Sequence, residues 1–376
     1  MVLRSDFIVE IKTRLEEEGF MHHVDLGMQL PLHVLNRYTL PQVLDLVEHA
    51  WKSLQQFNFV RVWVNDNLEY RNVFVTAAAI VTRLPVTLGT AVTLPYARNP
   101  IDMAGAFAAL SELTGGKEIS LGLGTGTRSI LGEQVEMIKP VTMVAESLSC
   151  FRKLFAGDEI RREEIANLAE FFHLKSASYR LRFPISAPIR LYYGGFGTPG
   201  PRLTRVVGEL ADGALRGSRL SRTMDESLAI FDGFERARAQ SGQRAPLLKA
   251  MIINASLSED GAAARAHAKR FASHVLCDEP DAIIEKRGID LARLKPLREA
   301  YKNNEGVDVG AKLVPDDLID KVVIAGTPKD CLEKISEFFS LAKTRGFNQL
   351  LIGVPLGPNL REVIDIWGEK ILPALR

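Results

Sequence analysis

Leu88-Gly-Thr-Ala-Val-Thr-Leu-Pro-Tyr-Ala-Arg-Asn-Pro100, followed by Leu113-Thr-Gly-Gly116 and Ile119-Ser-Leu-Gly-Leu-Gly-Thr-Gly-Thr127, is the stretch that decides the fold. Two apolar runs end in small residues, with a helical pattern between them, as parallel strands joined by a crossover helix do. The turns place glycine where a flat ligand would meet main chain, and glycine allows that approach because it has no Cβ.

The same alternation extends both ways along the chain. Strands are expected at residues 24–30, 59–65, 86–93, 119–124, 189–193, 213–216, 248–254 and 349–354. Helices are expected at 41–52, with Val43, Leu46, Val47 and Ala50 on one face, and at 99–113, 139–155 and 203–209. Eight such units predict an α/β fold, a closed (β/α)8 TIM barrel with insertions. Two connections exceed what a barrel needs. Residues 155–188 hold a charged helix at 158–173 and a strand-like Tyr-Arg-Leu-Arg-Phe run at 179–183. Residues 257–323 read as several helices punctuated by Pro280, Pro296 and Pro315. One barrel domain at 23–376, with a helical insertion at about 257–323, is therefore expected. An N-terminal helical extension at 1–22 precedes it, since Leu3, Phe7, Ile11 and Leu15 recur at helical spacing.

Composition excludes several classes. The 376 residues are 46% hydrophobic and 25% charged with a net charge of +1, so nothing draws the chain to nucleic acid or to a membrane surface. Cys150, Cys277 and Cys331 are too scattered for a disulfide framework or a metal site. No window approaches the roughly 18 apolar residues of a spanning helix, and the acids near the start interrupt any signal peptide. A cytoplasmic protein follows.

In such a barrel, chemistry belongs to the loops after the strands. The loop from Gly122 to Ser129 lacks a Walker ending, and it fits either a ligand edge or a tight turn. The loop Gly194-Gly-Phe-Gly-Thr-Pro-Gly-Pro-Arg202 is richer: free N–H groups, a helix start and arginines together make an anion site. Gly194, Gly195, Gly200 and Arg202 are the residues expected to hold a phosphate, with Arg216, Arg219 and Arg222 following. Asp66, His33, Glu69 and Tyr96 are candidates for proton transfer, Asp66 competing with a structural role in its turn.

Read together with Val62-Trp-Val-Asn-Asp-Asn-Leu-Glu-Tyr-Arg-Asn-Val73, Gly208-Glu-Leu-Ala-Asp-Gly213, Cys277-Asp-Glu-Pro-Asp281, Glu285-Lys-Arg-Gly-Ile289, Val323-Ile-Ala-Gly-Thr-Pro328 and Gly353-Val-Pro-Leu-Gly-Pro358, these segments resemble the luciferase-like monooxygenase superfamily. Within it the likeness is to F420-dependent methylenetetrahydromethanopterin reductases. The resemblance implies a bacterial-luciferase-like barrel, usually a homodimer, that holds F420 or FMN at its carboxyl end. It implies a non-prolyl cis peptide at Ala91-Val92 behind the cofactor ring, with Thr90, Ala91, Val92, Gly124, Thr125 and Gly126 around it.

Departures from the family pattern narrow the chemistry. Asn67 stands where a histidine is usual, Gln29 where the reductases carry glutamate, and Thr127 where an acid is common. Asn67, Gln29, Thr127 and Asp66 are thus the expected catalytic positions, and the first three cannot trade protons at neutral pH. Hydride transfer between F420 and a small organic acceptor (an iminium, a carbonyl or a conjugated double bond) is the expected function. The alternatives are an FMN-dependent monooxygenase using reduced flavin and O2, fed by a flavin reductase, and a non-catalytic flavin-binding protein. No metal, nucleic-acid or membrane partner is expected.

Overall fold

The structure, a computed structural model, describes residues 24–31, 35–126, 135–195, 197–218, 224–303 and 305–375. The expected extension at 1–22, His33, Thr127, Arg219 and Arg222 lie outside them.

Barrel strands β1 (Asp25–Leu30), β2 (Phe59–Val64), β3 (Thr87–Thr90), β4 (Ile119–Leu123), β5 (Ile189–Gly195), β6 (Gly213–Ser218), β7 (Leu248–Leu257) and β8 (Gln349–Leu356) pair in parallel in sequence order. The ring closes where β8 pairs with β1, Asp25 opposite Gln349 and Met28 opposite Ile352. The helices around the ring are α1 (Leu40–Leu54), α2 (Val73–Arg83), α3 (Pro100–Leu113), α4 (Pro140–Phe155), α5 (Pro201–Leu210), α6 (Met224–Gln240), α7 (Gly261–Asp278), α8 (Pro328–Thr344) and α9 (Leu360–Ile366). Several starts are written in the sequence: Thr39 and Gln42 form a capping box at α1, Asn99 caps α3 ahead of Pro100, and Thr327 with Asp330 caps α8.

Trp63 plugs the middle of the barrel. Its ring meets Tyr192 edge to face at 5.4 Å, and its indole N–H donates to Gln349 Oε1 at 3.1 Å. A Cβ on Gly89 would stand 2.4 Å from that ring, so the indole dictates glycine in β3. Leu215, Ala250, Ile252 and Leu351 complete the inner layer. Toward the amino end, buried Arg61 donates to Ser120 Oγ and lies 3.7 Å from Glu118. Asp25 lies beside this group, and burial holds its carboxyl above the usual range, against the opposing pull of Arg61 and the Asn58 amide.

That upward shift has a definite sign. A carboxyl raised by folding contributes its stability below its unfolded value and loses it as pH rises through the folded one. Asp25→Asn should therefore melt with wild type below pH 3.8 and at or above it at neutral pH, the gap opening with rising pH. Thermal melts of both proteins across that range check this.

Three expectations need correction. The 179–183 run is strand only at Ser178–Tyr179, because its antiparallel partner, Ile160–Arg161, is two residues long. Pairing at Ile160 also breaks the expected 158–173 helix into a 3-10 turn, Arg162–Ile165, and a short helix, Ala166–Phe171. Ile324–Gly326, outside every expected strand, pairs in parallel with the end of β7, Ile324 opposite Ala255. Between β7 and that strand, α7 and the helices Asp281–Lys286, Lys295–Lys302, Val307–Lys312 and Asp316–Ile319 enclose a core of their own, including Leu276, Leu297, Leu318 and Val322.

Candidate active site

The carboxyl end of β3 is irregular, and the irregularity builds the mouth. After Thr90 the chain takes a cis peptide at Ala91-Val92, and Thr93 then bridges to Leu123. From Gly89 opposite Ser120 to Thr93 opposite Leu123, β3 advances four residues while β4 advances three, which is a β-bulge. Thr90 closes the gap with its side chain: its hydroxyl donates to Gly122 O and accepts from Gly122 N–H, both at 3.0 Å. That hydroxyl is committed to the sheet and is not offered to a ligand.

The bulge sets Val92 between two glycines. A Cβ on Gly194 would lie 2.2 Å from Val92 Cγ1, and one on Gly124 would lie 2.6 Å from Val92 Cγ2. The isopropyl group occupies the space both residues leave, and half-buried Val92 becomes an apolar floor at the end of the barrel. The expected phosphate loop therefore divides. Gly194 belongs to the floor, and a Cβ on Gly195 would meet the Tyr193 hydroxyl at 2.6 Å; only Gly197 and Gly200 face open space. Arg202 lies in the first turn of α5, exposed, and donates to Thr142 Oγ1 of α4 at 2.9 Å. Together with Pro201, Arg205, Val206 and Glu209 it lines an open depression on the outside of the helical ring. The buried arginine here is Arg216, which donates to Gly197 O at 2.8 Å and so holds the loop from below.

Gln29 is 1% exposed at the end of β1 and uses both ends of its amide. Nε2 donates to Ala91 O at 3.3 Å, and Oε1 accepts from Val354 N–H at 3.2 Å. An ionised glutamate would present a second acceptor to the Ala91 carbonyl, so this frame calls for an amide. Asn254, wholly buried in β7, donates from Nδ2 to Val354 O at 2.6 Å. Asn67 is half-buried after β2, and its side chain makes no hydrogen bond to a described residue, which leaves it available to a ligand.

Asp66 is held differently from a proton donor. Its carboxylate takes both Arg98 Nη2 at 2.9 Å and Nε at 3.2 Å, and accepts from Thr93 Oγ1 at 2.8 Å. The pair ties the end of β2 to the segment that follows the bulge. Tyr96 is also occupied: its hydroxyl donates to Ile138 O at 3.3 Å, and burial pushes its pKa up to about 12. Glu69 is exposed. Thr125 and Gly126 follow β4, Gly126 at φ +74°; the Thr125 hydroxyl donates to Gly126 O at 3.4 Å, and burial raises the pKa of the Tyr193 hydroxyl.

Two residues at this end escaped the sequence reading. Asn254 was legible, since the alternation that points Ala250 and Ile252 inward also points residue 254 inward. His267 was not, because it reaches the mouth from α7, where its Nε2 lies 3.2 Å from Pro355 O. Burial, then Arg270 and Arg37, hold its imidazole below the usual range despite that hydrogen bond.

A closed parallel barrel with an apolar, amide-framed floor at its carboxyl end is a (β/α)8 barrel, and the relatives it resembles are oxidoreductases. The chain belongs to the luciferase-like monooxygenase family, whose sequence profile matches residues 25–345. It is 27% identical over 328 residues to the 5,10-methylenetetrahydromethanopterin reductase of Methanolobus tindarius, covering 87% of this chain and 95% of the relative. It is also 27% identical over 345 residues to the F420-dependent glucose-6-phosphate dehydrogenase of Nakamurella multipartita, covering 88% and 89%. In fold it matches the coenzyme F420 dependent tetrahydromethanopterin reductase of Methanopyrus kandleri, with a TM-score of 0.73 at 20% identity over 94% of this chain and 100% of the other. A Baeyer-Villiger monooxygenase from Pseudomonas putida, solved with FMN, matches with a TM-score of 0.57 at 16% identity over 93% and 98%.

Proposed function

We propose that this chain uses F420 and passes a hydride between it and a small organic acceptor. The observation that carries the reading is the floor: Val92, set by the bulge between Gly124 and Gly194, offers an apolar face for a flat ring where a family of F420 and flavin enzymes would need one. The F420-dependent glucose-6-phosphate dehydrogenase that is similar over most of the chain, and the coenzyme F420 dependent reductase that shares the fold, support the same cofactor. When bound, F420 supplies the hydride. Val92, Gly124 and Gly194 would back the ring, Gln29 would fix the floor beneath it, and Asn67 would reach its edge. Gly197 and Gly200, with open space beside them, are assigned to the phosphate, and Arg202, on the outer face of α5, is not.

Among the described residues, and His267 apart, the side chains at the mouth hold a ring better than they move a proton. Asp66 is paired and the Tyr96 hydroxyl is engaged, while Gln29, Asn67 and Asn254 are amides. Such a set favours an acceptor that is already cationic or strongly polarised, above all an iminium, over an alcohol whose proton must be removed. An FMN-dependent monooxygenase using O2 and reduced flavin, the latter supplied by a flavin reductase, is the second reading, favoured by the FMN-bound structural neighbour.

No helix of the described residues is long and apolar enough to cross a membrane. A cytoplasmic homodimer is the setting proposed. Titration of the purified protein with F420 and with FMN, followed by fluorescence, tests the cofactor: saturable binding of F420 is expected, and binding of FMN alone would overturn the reading.

A further inference from the structure

We infer that His267 is a positioning residue of the cofactor site, acting from the helical insertion through the turn at the end of β8 on the Val92 floor. The inference rests on the reading that the mouth binds a flavin-type cofactor.

The turn is unusual backbone. Leu356 sits at φ +68°, a region that branched residues seldom enter, and Gly357 N–H closes on Pro355 O at 2.9 Å. The sheet does little to hold it. The β7–β8 register is regular to Gly353 opposite Asn254 and then breaks before Leu356 opposite Ser256. In that gap, side chains from three elements replace the ladder. Gln29 of β1 takes the Val354 N–H, Asn254 of β7 donates to the Val354 carbonyl, and His267 of α7 lies at hydrogen-bond distance from the Pro355 carbonyl.

Gln29 links this turn to the floor, because its other end donates to the Ala91 carbonyl beside Val92. A hydrogen-bonded path thus runs from α7 through Pro355, Val354 and Gln29 to the bulge. Gln29 and Asn254 are 1% and 0% exposed and His267 is half-buried, so the links from Gln29 and Asn254 lie within the barrel core. Among the described residues, the charged groups facing His267 are Arg270 on its own helix, paired with Asp308, and Arg37 in the turn after β1. Both favour the neutral imidazole, whose Nε2–H donates to Pro355 O. The helical insertion therefore has a task at the mouth besides packing its own core.

Full-length wild type and the variants His267→Leu, His267→Gln and Tyr301→Phe test this, with the dissociation constant for F420 and the absorption maximum of the bound cofactor as readouts. His267→Leu removes the donor and should weaken binding about fivefold, the size of one lost hydrogen bond, and should shift the bound band toward its position in water. His267→Gln, which keeps a side-chain N–H, should restore both. Tyr301→Phe loosens α7 at Ser273 and His274 without touching the turn, and should leave both unchanged. If His267→Leu does not fold, His267→Asn, too short to span to Pro355, makes the same comparison. Binding and band unchanged in the donor-less variant, or moved equally by Tyr301→Phe, would overturn the inference. Wild type that binds neither F420 nor FMN would instead overturn the proposed function beneath it.

Discussion

Arg98→Ala should lose about 3–5 kcal/mol of stability, because it strands a fully buried carboxylate. The Asp66 side chain is 0% exposed and Arg98 is 20% exposed, so the loss is asymmetric. Without the guanidinium, Asp66 keeps one donor from a side chain, Thr93 Oγ1 at 2.8 Å. Asp66→Asn leaves a guanidinium that can still reach water, and should cost only about 1–3 kcal/mol. Denaturant unfolding of both variants gives the two numbers. A catalytic Asp66 predicts the opposite pattern, with Asp66→Asn stable and dead and Arg98→Ala stable and nearly normal. An Arg98→Ala protein within about 0.5 kcal/mol of wild type, the ordinary range for an inert surface change, would contradict the structural role.

Gly194→Ala is the second large effect. Its methyl group would enter at 2.2 Å from Val92 Cγ1, a contact that one side must vacate. Overpacking of this kind costs about 1–3 kcal/mol, and here the displaced group is the floor itself, so cofactor affinity should fall more than about tenfold, or 1.4 kcal/mol. Val92→Ala in the same chain removes the colliding methyls and should return much of the stability. The signature is non-additivity: a coupling of about 0.5–3 kcal/mol in the double-mutant cycle. Additive losses would mean that Gly194 and Val92 do not share this space.

The barrel was legible because its signal is periodic and repeated. Each barrel strand lies at its expected position, and helices with proline or a capping side chain at their start differ from expectation by a residue or two. The cis peptide at Ala91-Val92 came from resemblance and not from local propensity, and the structure has it. What could not be read depends on register. Thr90 looks like a ligand-facing threonine until the bulge places its hydroxyl on Gly122. Gly194 looks like a phosphate-loop glycine until Val92 arrives from a strand about a hundred residues away in sequence. Gln29 reads as a lost carboxylate, yet its two amide ends meet a carbonyl and an N–H that only the closed barrel brings together. His267 gave no signal at all, since a histidine in a helix becomes informative only once the helix has docked.

The central claim is that Val92 and its flanking glycines form the seat of the cofactor ring. A crystal structure of the protein soaked with oxidised F420 tests it most directly. The account predicts the deazaflavin ring in van der Waals contact with Val92, above the Gln29 amide and between the Gly124 and Gly194 backbones. A ring bound outside the barrel mouth, in the depression beside Arg202 and Arg205 for instance, with Val92 left uncovered, would contradict it.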